Sequence, residues 1–274
     1  MPPSRQSSSS TATSTATLLV DESSAPQPTI ASIPGGEPIS LQYVQNFLSP
    51  STVDQLIESC NVRNGWTSSP QSVNGQSMVK ATRTSRSCPL IWPQLYLPML
   101  HTDDASKAAK LAPLKSEIEL TWELTQRIAS FMGVEEEYVE PFQLVRYLPG
   151  EFYREHHDHG SYYGVHTEQR PWTFLLFLSD IPSSQEDNSS DGGGGYTKFR
   201  ALEEESGGIA IVPRMGDGVL WRNVDEETGK VLDVAVHEAV PPADDKEVVK
   251  YAMNVWIAKD KIMENMDVSA YRTQ

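Results

Sequence analysis

The stretch FQLVRYLPGEFYREHHDHG, residues 142–160, changes character half-way along its length. Its first half is a short apolar run that stops at a Pro-Gly pair, a pattern that predicts a β-strand followed by a turn. Its second half holds three of the six histidines in the chain, and a fourth, His166, follows soon after. We therefore expect a strand-built domain whose chemistry lies at or near this segment.

Alternation along this segment separates the clustered histidines into two sets. Successive side chains of a strand point to opposite faces, so His156 and Asp158 share one face while His157 and His159 share the other. Only the first pair combines an imidazole with a carboxylate. Such a pair supplies two ligands of a 2-His-1-carboxylate iron site, which leaves metal positions open for a cosubstrate and oxygen.

The third ligand of such a site must come from elsewhere in the chain. Outside the cluster the candidates are His101, in a polar segment, and His237, within the strand-like run VAVHEAV, which makes His237 the better one. A His-x-Asp pair also arises by chance, histidine runs occur on surfaces, and zinc accepts the same ligands. Zinc is the lesser alternative, because the chain has no HExxH motif and no cysteine pair of the deaminase type.

Further short apolar or alternating runs follow residue 160. They are separated by Gly, Pro and acidic segments and not by helical crossovers, which predicts antiparallel pairing in a sandwich, jelly roll or barrel. The runs are WTFLLFLSD, GGIAIV, GVLW, VAVHEAV and YAMNVWIA. The acidic, glycine-rich stretch 183–195 predicts a long loop between two of these strands, and it lacks the Gly-Lys-Ser/Thr ending of a phosphate-binding loop.

The N-terminal half carries a helical pattern instead. The segment STVDQLIESC places apolar side chains on one helical face, with Ser51 as the expected N-cap. A longer helix is predicted over roughly 117–132, with a capping box formed by Ser116 and Glu119 and with Gly133 at its C-terminal end.

Composition excludes several classes of function. Lys and Arg total 22 against 37 Asp and Glu, and the net charge of -15 disfavours binding to nucleic acid or to an anionic membrane. Residues 1–36 are rich in Ser, Thr and Pro, which predicts a disordered tail without the features of a secretory signal. Cys60 and Cys88 can form at most one bridge. No apolar run nears the roughly 20 residues of a membrane span, so we expect a soluble protein, cytosolic by default, with the endoplasmic reticulum or an organelle left open.

The region from Arg83 to Trp256 resembles the prolyl 4-hydroxylase group of iron(II)- and 2-oxoglutarate-dependent dioxygenases. The motifs occur in the family's order: RTS at 83–85, YREHHD in the opening stretch, RPWTFLLFLSD, GGYTKF, IVPRMGDGVLW, and DVAVHEAVPPADDKEVVKYAMNVWI. The resemblance implies a mainly β (α+β) fold whose core is a double-stranded β-helix, the cupin-like jelly roll. The implied single domain covers 37–260, with helical support over 37–135, the jelly-roll core over 136–260 and a C-terminal tail over 261–274.

The same resemblance implies an iron(II) ion held by His156, Asp158 and His237, with 2-oxoglutarate and O2 as cosubstrates and ascorbate as a further cofactor. Burying the remote carboxylate of 2-oxoglutarate without a cation would cost several kcal/mol. The KYAMNVW context assigns that cation to Lys250 in preference to Lys246.

Other family positions are expected near the cosubstrate and at the mouth of the site. The resemblance places Tyr147 and Thr197 beside the remote carboxylate, and Tyr153 and Arg170 where they contact substrate or order the pocket. The chain departs from the family pattern at Tyr196, where Glu is usual, at His159, where an aromatic residue is common, and in the long acidic loop.

The activity implied by the resemblance is hydroxylation of a peptidyl substrate, with prolyl 4-hydroxylation first, and release of succinate and CO2. The expected partner is a proline-containing peptide or protein, and the oligomeric state stays open. The same iron chemistry on a small molecule or another side chain is the alternative, as is a non-catalytic jelly-roll interaction module. Nucleic-acid demethylation is disfavoured by the negative charge and because that related group generally uses Arg where this chain has Lys250.

Overall fold

The computed structural model describes residues 27–69, 71–73, 76–78, 82–101, 105–160, 170–182, 194–203, 207–243 and 247–265. Five of the predictions above therefore fall on residues outside this description. They concern the tail over 1–26, His166, the acidic loop over 183–193, Lys246, and the C-terminal residues 266–274.

The described residues form fourteen strands and five α-helices. The strands are β1 Thr29–Ser32, β2 Gln42–Gln45, β3 Thr67–Ser68, β4 Gln71–Val73, β5 Gln76–Met78, β6 Arg86–Pro89, β7 Gln143–Tyr147, β8 Tyr153–His156, β9 Trp172–Phe177, β10 Thr197–Phe199, β11 Ile209–Ile211, β12 Gly218–Arg222, β13 His237–Ala239 and β14 Lys250–Ile257. The helices are α1 Pro50–Val62, α2 Pro93–Leu100, α3 Ala105–Leu111, α4 Lys115–Met132 and α5 Ile262–Asn265. Every apolar run that the sequence analysis selected contains one of these strands.

Two antiparallel sheets form the core of the fold. The larger has eight strands in the order β1-β2-β12-β9-β14-β7-β6-β3, and the smaller has four in the order β11-β10-β13-β8. Strands β4 and β5 form a separate hairpin. All the strand pairs are antiparallel, which confirms the predicted jelly-roll class of architecture.

The period-2 alternation of the large sheet divides its side chains between two hydrophobic cores. On β9, Phe174 and Leu176 pack with apolar side chains of α1 and α4. Their neighbours Leu175 and Phe177 face the other way, into a core shared with the small sheet. Each fully buried side chain of this kind stabilises the fold by roughly 1.5–3 kcal/mol. Because both faces of β9 are buried, its sequence is continuously apolar instead of alternating.

The segment predicted as tail and helical support also supplies strands to the large sheet. Strand β1 pairs with β2, with Thr29 opposite Gln45 and Ser32 opposite Gln42. All four side chains of β1 are exposed, so the strand is held by backbone hydrogen bonds and not by apolar burial. Composition cannot reveal such a strand. The predicted tail boundary at residue 36 is therefore wrong, since Thr29–Ser32 already form a strand.

The first helix begins two residues earlier than predicted. Pro50 occupies the first helical position, where its missing N–H costs nothing, and the Ser49 side chain accepts a hydrogen bond from the Thr52 N–H at 3.1 Å. Ser51, the predicted N-cap, lies inside the first turn and is exposed.

The C-terminal end of the long helix α4 agrees with the prediction, but its N-terminal end does not. Its N-terminus at Lys115 follows directly from a 3-10 turn over Ala112–Leu114, and no side-chain bond caps it. The predicted capping box is absent because Ser116 is already within the helix. Gly133 ends the helix in the left-handed conformation, with φ 69°, as predicted, since a residue without a Cβ adopts that conformation without strain.

A disulfide joins Cys60, near the end of α1, to Cys88 of β6, and both residues are buried. It crosslinks the helical layer to the large sheet across 28 residues of sequence. Within the described part of the chain, no helix combines the length and apolar character needed to cross a membrane.

Replacing Ser49 with Ala should lower the free energy of unfolding by about 1 kcal/mol, because the amide of Thr52 loses its acceptor. Ser51→Ala is the matched control and should change the stability by less than about 0.5 kcal/mol, as is usual for an exposed position. Urea denaturation of both variants measures the difference. A larger effect from Ser51→Ala would restore Ser51 as the cap.

Candidate metal centre

Antiparallel pairing of β8 with β13 brings two distant histidines together. His156 ends β8, His237 begins β13, and the two residues are direct partners in the register. Asp158 lies just beyond the end of β8. The Nε2 atom of His156 is 3.7 Å from Oδ1 of Asp158, and Nε2 of His237 is 3.8 Å from Oδ2. One potential ligand atom from each residue lies within 4.8 Å of the others, whereas His101 is exposed at the end of α2.

Backbone carbonyls set the tautomers of both histidines. The Nδ1 atom of His156 lies 2.8 Å from the carbonyl oxygen of Arg154, and Nδ1 of His237 lies 3.1 Å from that of Ala235. A carbonyl can only accept, so Nδ1 must carry the proton in each neutral ring. The lone pair is therefore on Nε2, the atom that faces Asp158 in both cases.

A hydrogen-bond network holds the Asp158 carboxylate from one side. Its Oδ2 atom accepts from the Thr173 hydroxyl at 3.0 Å and from the Trp256 indole N–H at 3.1 Å. The Thr173 hydroxyl accepts in turn from the Asn223 amide at 2.8 Å, and the amide oxygen of Asn223 accepts from the Trp221 indole at 3.0 Å. With Oδ2 occupied in this way, Oδ1 is the oxygen oriented for ligation.

The electrostatics of the cluster favour the protonation states that bind metals. Burial lowers the pKa of His156, and the neighbouring His237 lowers it further. Burial alone would raise the pKa of Asp158, but His237, His156 and the Trp256 N–H outweigh it, so this pKa is also lowered. Near neutral pH the His156 ring is neutral and Asp158 is a carboxylate, as metal ligation requires. Two imidazole nitrogens and one carboxylate oxygen fit the donor set of a mononuclear iron(II) site.

Lys250 is a buried cation in the core between the two sheets. It begins β14 opposite Tyr147 of β7 and is only 1% exposed. Its Nζ atom lies 3.3 Å from both the Tyr196 carbonyl and the Thr197 hydroxyl, and 5.5 Å from the centre of the Tyr147 ring. Among the described residues no carboxylate lies within ion-pair distance of it. Burial lowers its pKa to about 7, so a bound anion would stabilise the ammonium form.

Tyr153 and Arg170, the two expected substrate contacts, occupy different environments. Tyr153 is half-buried, its ring stacks on His156 at 3.5 Å, and the Arg83 guanidinium lies 4.4 Å from its centre. Arg170 is buried and makes two hydrogen bonds to Glu140, at 2.7 and 2.8 Å. Its guanidinium also lies 3.9 Å from the centre of the Trp256 ring. These contacts place Arg170 behind Trp256, the residue that donates to Asp158, which agrees with a role in ordering the pocket. Its contact with substrate stays a prediction.

Several supporting residues have no signal in the sequence. In the sequence, Thr173 is a single polar residue within an apolar strand, and Asn223 and Glu140 lie next to apolar runs, where loops are expected. The contacts of Thr173 with Asp158, of Glu140 with Arg170 and of Asn223 with Thr173 join residues 15, 30 and 50 positions apart. Spacing in the sequence therefore cannot reveal them. Trp221 reads as an ordinary core aromatic.

Comparison with known families agrees with this geometry. Residues 142–258, which include all three clustered residues and Lys250, match the family model of the 2OG-Fe(II) oxygenase superfamily. This segment is therefore similar to that superfamily. The resemblance to prolyl 4-hydroxylases in the sequence is thereby confirmed for residues 142–258, and curated relatives support it.

Two curated relatives that this chain resembles come from Arabidopsis thaliana. Prolyl 4-hydroxylase 13 is 30% identical over 120 residues, which are 43% of this chain and 43% of the relative. Probable prolyl 4-hydroxylase 9 is 29% identical over 139 residues, 48% of this chain and 45% of the relative. The chain thus spans less than half the length of the curated relatives that it matches.

Solved structures share the fold of the oxygenase. The viral collagen prolyl hydroxylase of Paramecium Bursaria Chlorella virus-1, in its 2OG complex, matches 80% of this chain and 95% of that chain, with a TM-score of 0.50 and 19% identity. A Trichoplax adhaerens prolyl hydroxylase, in complex with a hypoxia inducible factor peptide fragment, matches 80% and 83%, with a TM-score of 0.50 and 15% identity. At these identities the likeness supports the jelly-roll fold alone.

His156→Ala or Asp158→Ala should weaken iron(II) binding by more than the roughly 100-fold that changes to supporting residues can cause, because each removes a ligand. His101→Ala is the matched control, since it removes an exposed imidazole far from the cluster, and it should bind iron(II) like the unaltered protein. Anaerobic calorimetric titration measures both. Unchanged binding in the first two variants would exclude this cluster as the metal site.

Proposed function

We propose that this oxygenase domain hydroxylates a prolyl residue of a peptide or protein, using iron(II), O2 and 2-oxoglutarate and releasing succinate and CO2. The observation that carries this proposal is that strand β10 contacts both Lys250 and His237. Thr197, which contacts Lys250, and Phe199, whose ring is 5.5 Å from that of His237, are alternate residues of β10. Alternate residues of a strand are about 7 Å apart, a distance that suits a short dicarboxylate.

Each end of 2-oxoglutarate would have its own partners. Lys250 would pair with the remote carboxylate, and the Thr197 hydroxyl and the Tyr147 phenol would surround it with polar atoms. Iron(II) bound by His156, Asp158 and His237 would supply the oxygen chemistry that protein side chains cannot provide. Ascorbate belongs to the proposal through the family resemblance only.

The chain's own residues would orient the cosubstrate and exclude water. The two donors to Oδ2 keep Asp158 oriented, and the Trp256 donor helps to keep it ionised against the effect of burial. The apolar rings of Phe199 and Trp221 pack on His237 and keep water away from it. A water-poor site strengthens the electrostatic contacts made within it.

A peptide substrate is supported by Tyr153 and by the names of the relatives. The Tyr153 ring lies at the edge of the cluster and is partly accessible. Aromatic surfaces of this kind bind proline-rich segments, whose polyproline conformation is already ordered and loses little entropy on binding. The curated relatives are prolyl 4-hydroxylases.

A proline-rich peptide and its counterpart with every proline replaced by alanine test the substrate. The first should gain the mass of one oxygen per succinate formed, and the second should gain none. Mass spectrometry and succinate assays under air measure both, with Asp158→Ala as the inactive control. Succinate without peptide oxidation would favour a small-molecule or different side-chain substrate. Bound iron and 2-oxoglutarate without any succinate would favour the non-catalytic interaction module.

Lys250→Ala should raise the 2-oxoglutarate concentration needed for half-maximal succinate formation on the order of 10- to 100-fold, as expected for the loss of a charge-assisted hydrogen bond. Iron(II) affinity should stay within about twofold, because Lys250 is not one of the proposed ligands. A twofold change corresponds to less than about 0.5 kcal/mol. Lys246→Ala is the control and should have little effect on either. The reverse order of the two lysines would assign the carboxylate to Lys246.

A further inference from the structure

His157 lies between two residues of the proposed metal site but uses its ring differently. Its Nε2 atom is 3.0 Å from the carbonyl oxygen of Leu232, and its Nδ1 atom is 3.0 Å from the backbone nitrogen of His159. Both ring nitrogens therefore contact backbone atoms. The ring is half-buried. The contact with Leu232 is partly shielded from water, whereas the contact with His159 is exposed.

Only one neutral tautomer of His157 satisfies both contacts. The His159 N–H is a donor, so Nδ1 must accept, and the ring proton must then be on Nε2. From Nε2 that proton is donated to the Leu232 carbonyl. The tautomer is the opposite of the one inferred for His156 and His237, which carry the proton on Nδ1.

The bond to Leu232 leads directly to the third residue of the cluster. The same Leu232 carbonyl accepts from the Ala235 N–H at 2.8 Å, which closes the 3-10 turn that precedes β13. The carbonyl of Ala235 then accepts from Nδ1 of His237 at 3.1 Å. A short series of hydrogen bonds thus runs from the His157 ring to the His237 ring. Its first bond joins His157 to Leu232, which are 75 positions apart in the sequence.

We propose that His157 is a positioning residue that holds the His237 segment in register with the segment carrying His156 and Asp158. The proposal rests on the proposed metal site. The β8–β13 ladder that carries this register is short and irregular, since its pairing shifts between His237 and Ala239. The ring of His157 adds a side-chain hydrogen bond between the segment that follows β8 and the turn that precedes β13.

Substitutions can separate the two hydrogen bonds of the ring. A glutamine places its amide N–H₂ near the position of Nε2 and keeps a donor for the Leu232 carbonyl. An asparagine places its amide oxygen near the position of Nδ1 and keeps an acceptor for the His159 N–H, but it is too short to reach Leu232. His157→Gln and His157→Asn therefore introduce the same amide group, but the first retains the bond to Leu232 and the second retains the bond from His159.

His157→Ala should weaken iron(II) binding roughly 10-fold, at the low end of the effect of changes behind metal ligands. Turnover at saturating iron(II) should be largely kept, because no ligand is lost. His157→Gln should recover most of the affinity and His157→Asn little. Anaerobic titration gives the affinities, the visible absorption of the cobalt(II)-substituted protein reports the ligand geometry, and His101→Ala is the control.

The outcomes separate this inference from the proposed metal site. If the unaltered protein binds iron(II) and all three His157 variants bind it equally well, the positioning role is wrong while the site stands. Recovery by Asn in place of Gln would assign the effect to the His159 contact and overturn the link to Leu232. If the unaltered protein binds no iron(II), the metal site itself fails. Thermal unfolding without metal identifies any variant that is not folded. If His157→Ala is not folded, the comparison of His157→Gln with His157→Asn tests the positioning role.

Discussion

The candidate site depends on the pairing of β8 with β13. His156 and His237 are far apart in sequence, and only the register of these two short strands makes them direct neighbours. A slip by one residue would turn every side chain of one strand to the opposite face and would separate the imidazoles. The apolar residues that share the small sheet, such as Phe199 and Ala239, resist this slip because they are buried against the large sheet. Core packing therefore determines where the metal ligands lie.

The burial of Asp158 imposes the second constraint. A carboxylate in the interior is costly unless hydrogen bonds and nearby positive charge compensate for the lost hydration. The two donors to Oδ2 come from strands β9 and β14, which are adjacent in the large sheet. The Arg170 and Glu140 pair then supports Trp256 from behind. Residues of the large sheet thus stabilise a charge that belongs to the small sheet's edge, which couples the two layers electrostatically.

The sequence predicted the parts of the molecule whose signal is local. The strands were evident because their residues are apolar and bounded by turns, and the His156–Asp158 pair was evident because the side-chain period of a strand is two. His237 was selected because it lies in a strand-like run. Strand β1 was missed because its side chains are exposed and only its backbone pairs. The predicted capping box at Ser116 is absent because α4 continues directly from a 3-10 turn, which places Ser116 within the helix. The pairing of Arg170 with Glu140 was not predicted, because the two residues are 30 positions apart in the sequence.

In this acidic protein the proposed anion and the proposed metal would both depend on strand β14. The chain carries a net charge of -15, so long-range attraction cannot concentrate a dicarboxylate near the site. Lys250 and Trp256 are six positions apart on one strand, and both face the space between the sheets. This strand is hydrogen-bonded to β7 on one side and to β9 on the other, so its backbone cannot shift alone. Lys250 and the indole donor to Asp158 are thereby held at a constant separation, and the charge of Lys250 would supply locally the attraction for an anion that the net charge does not.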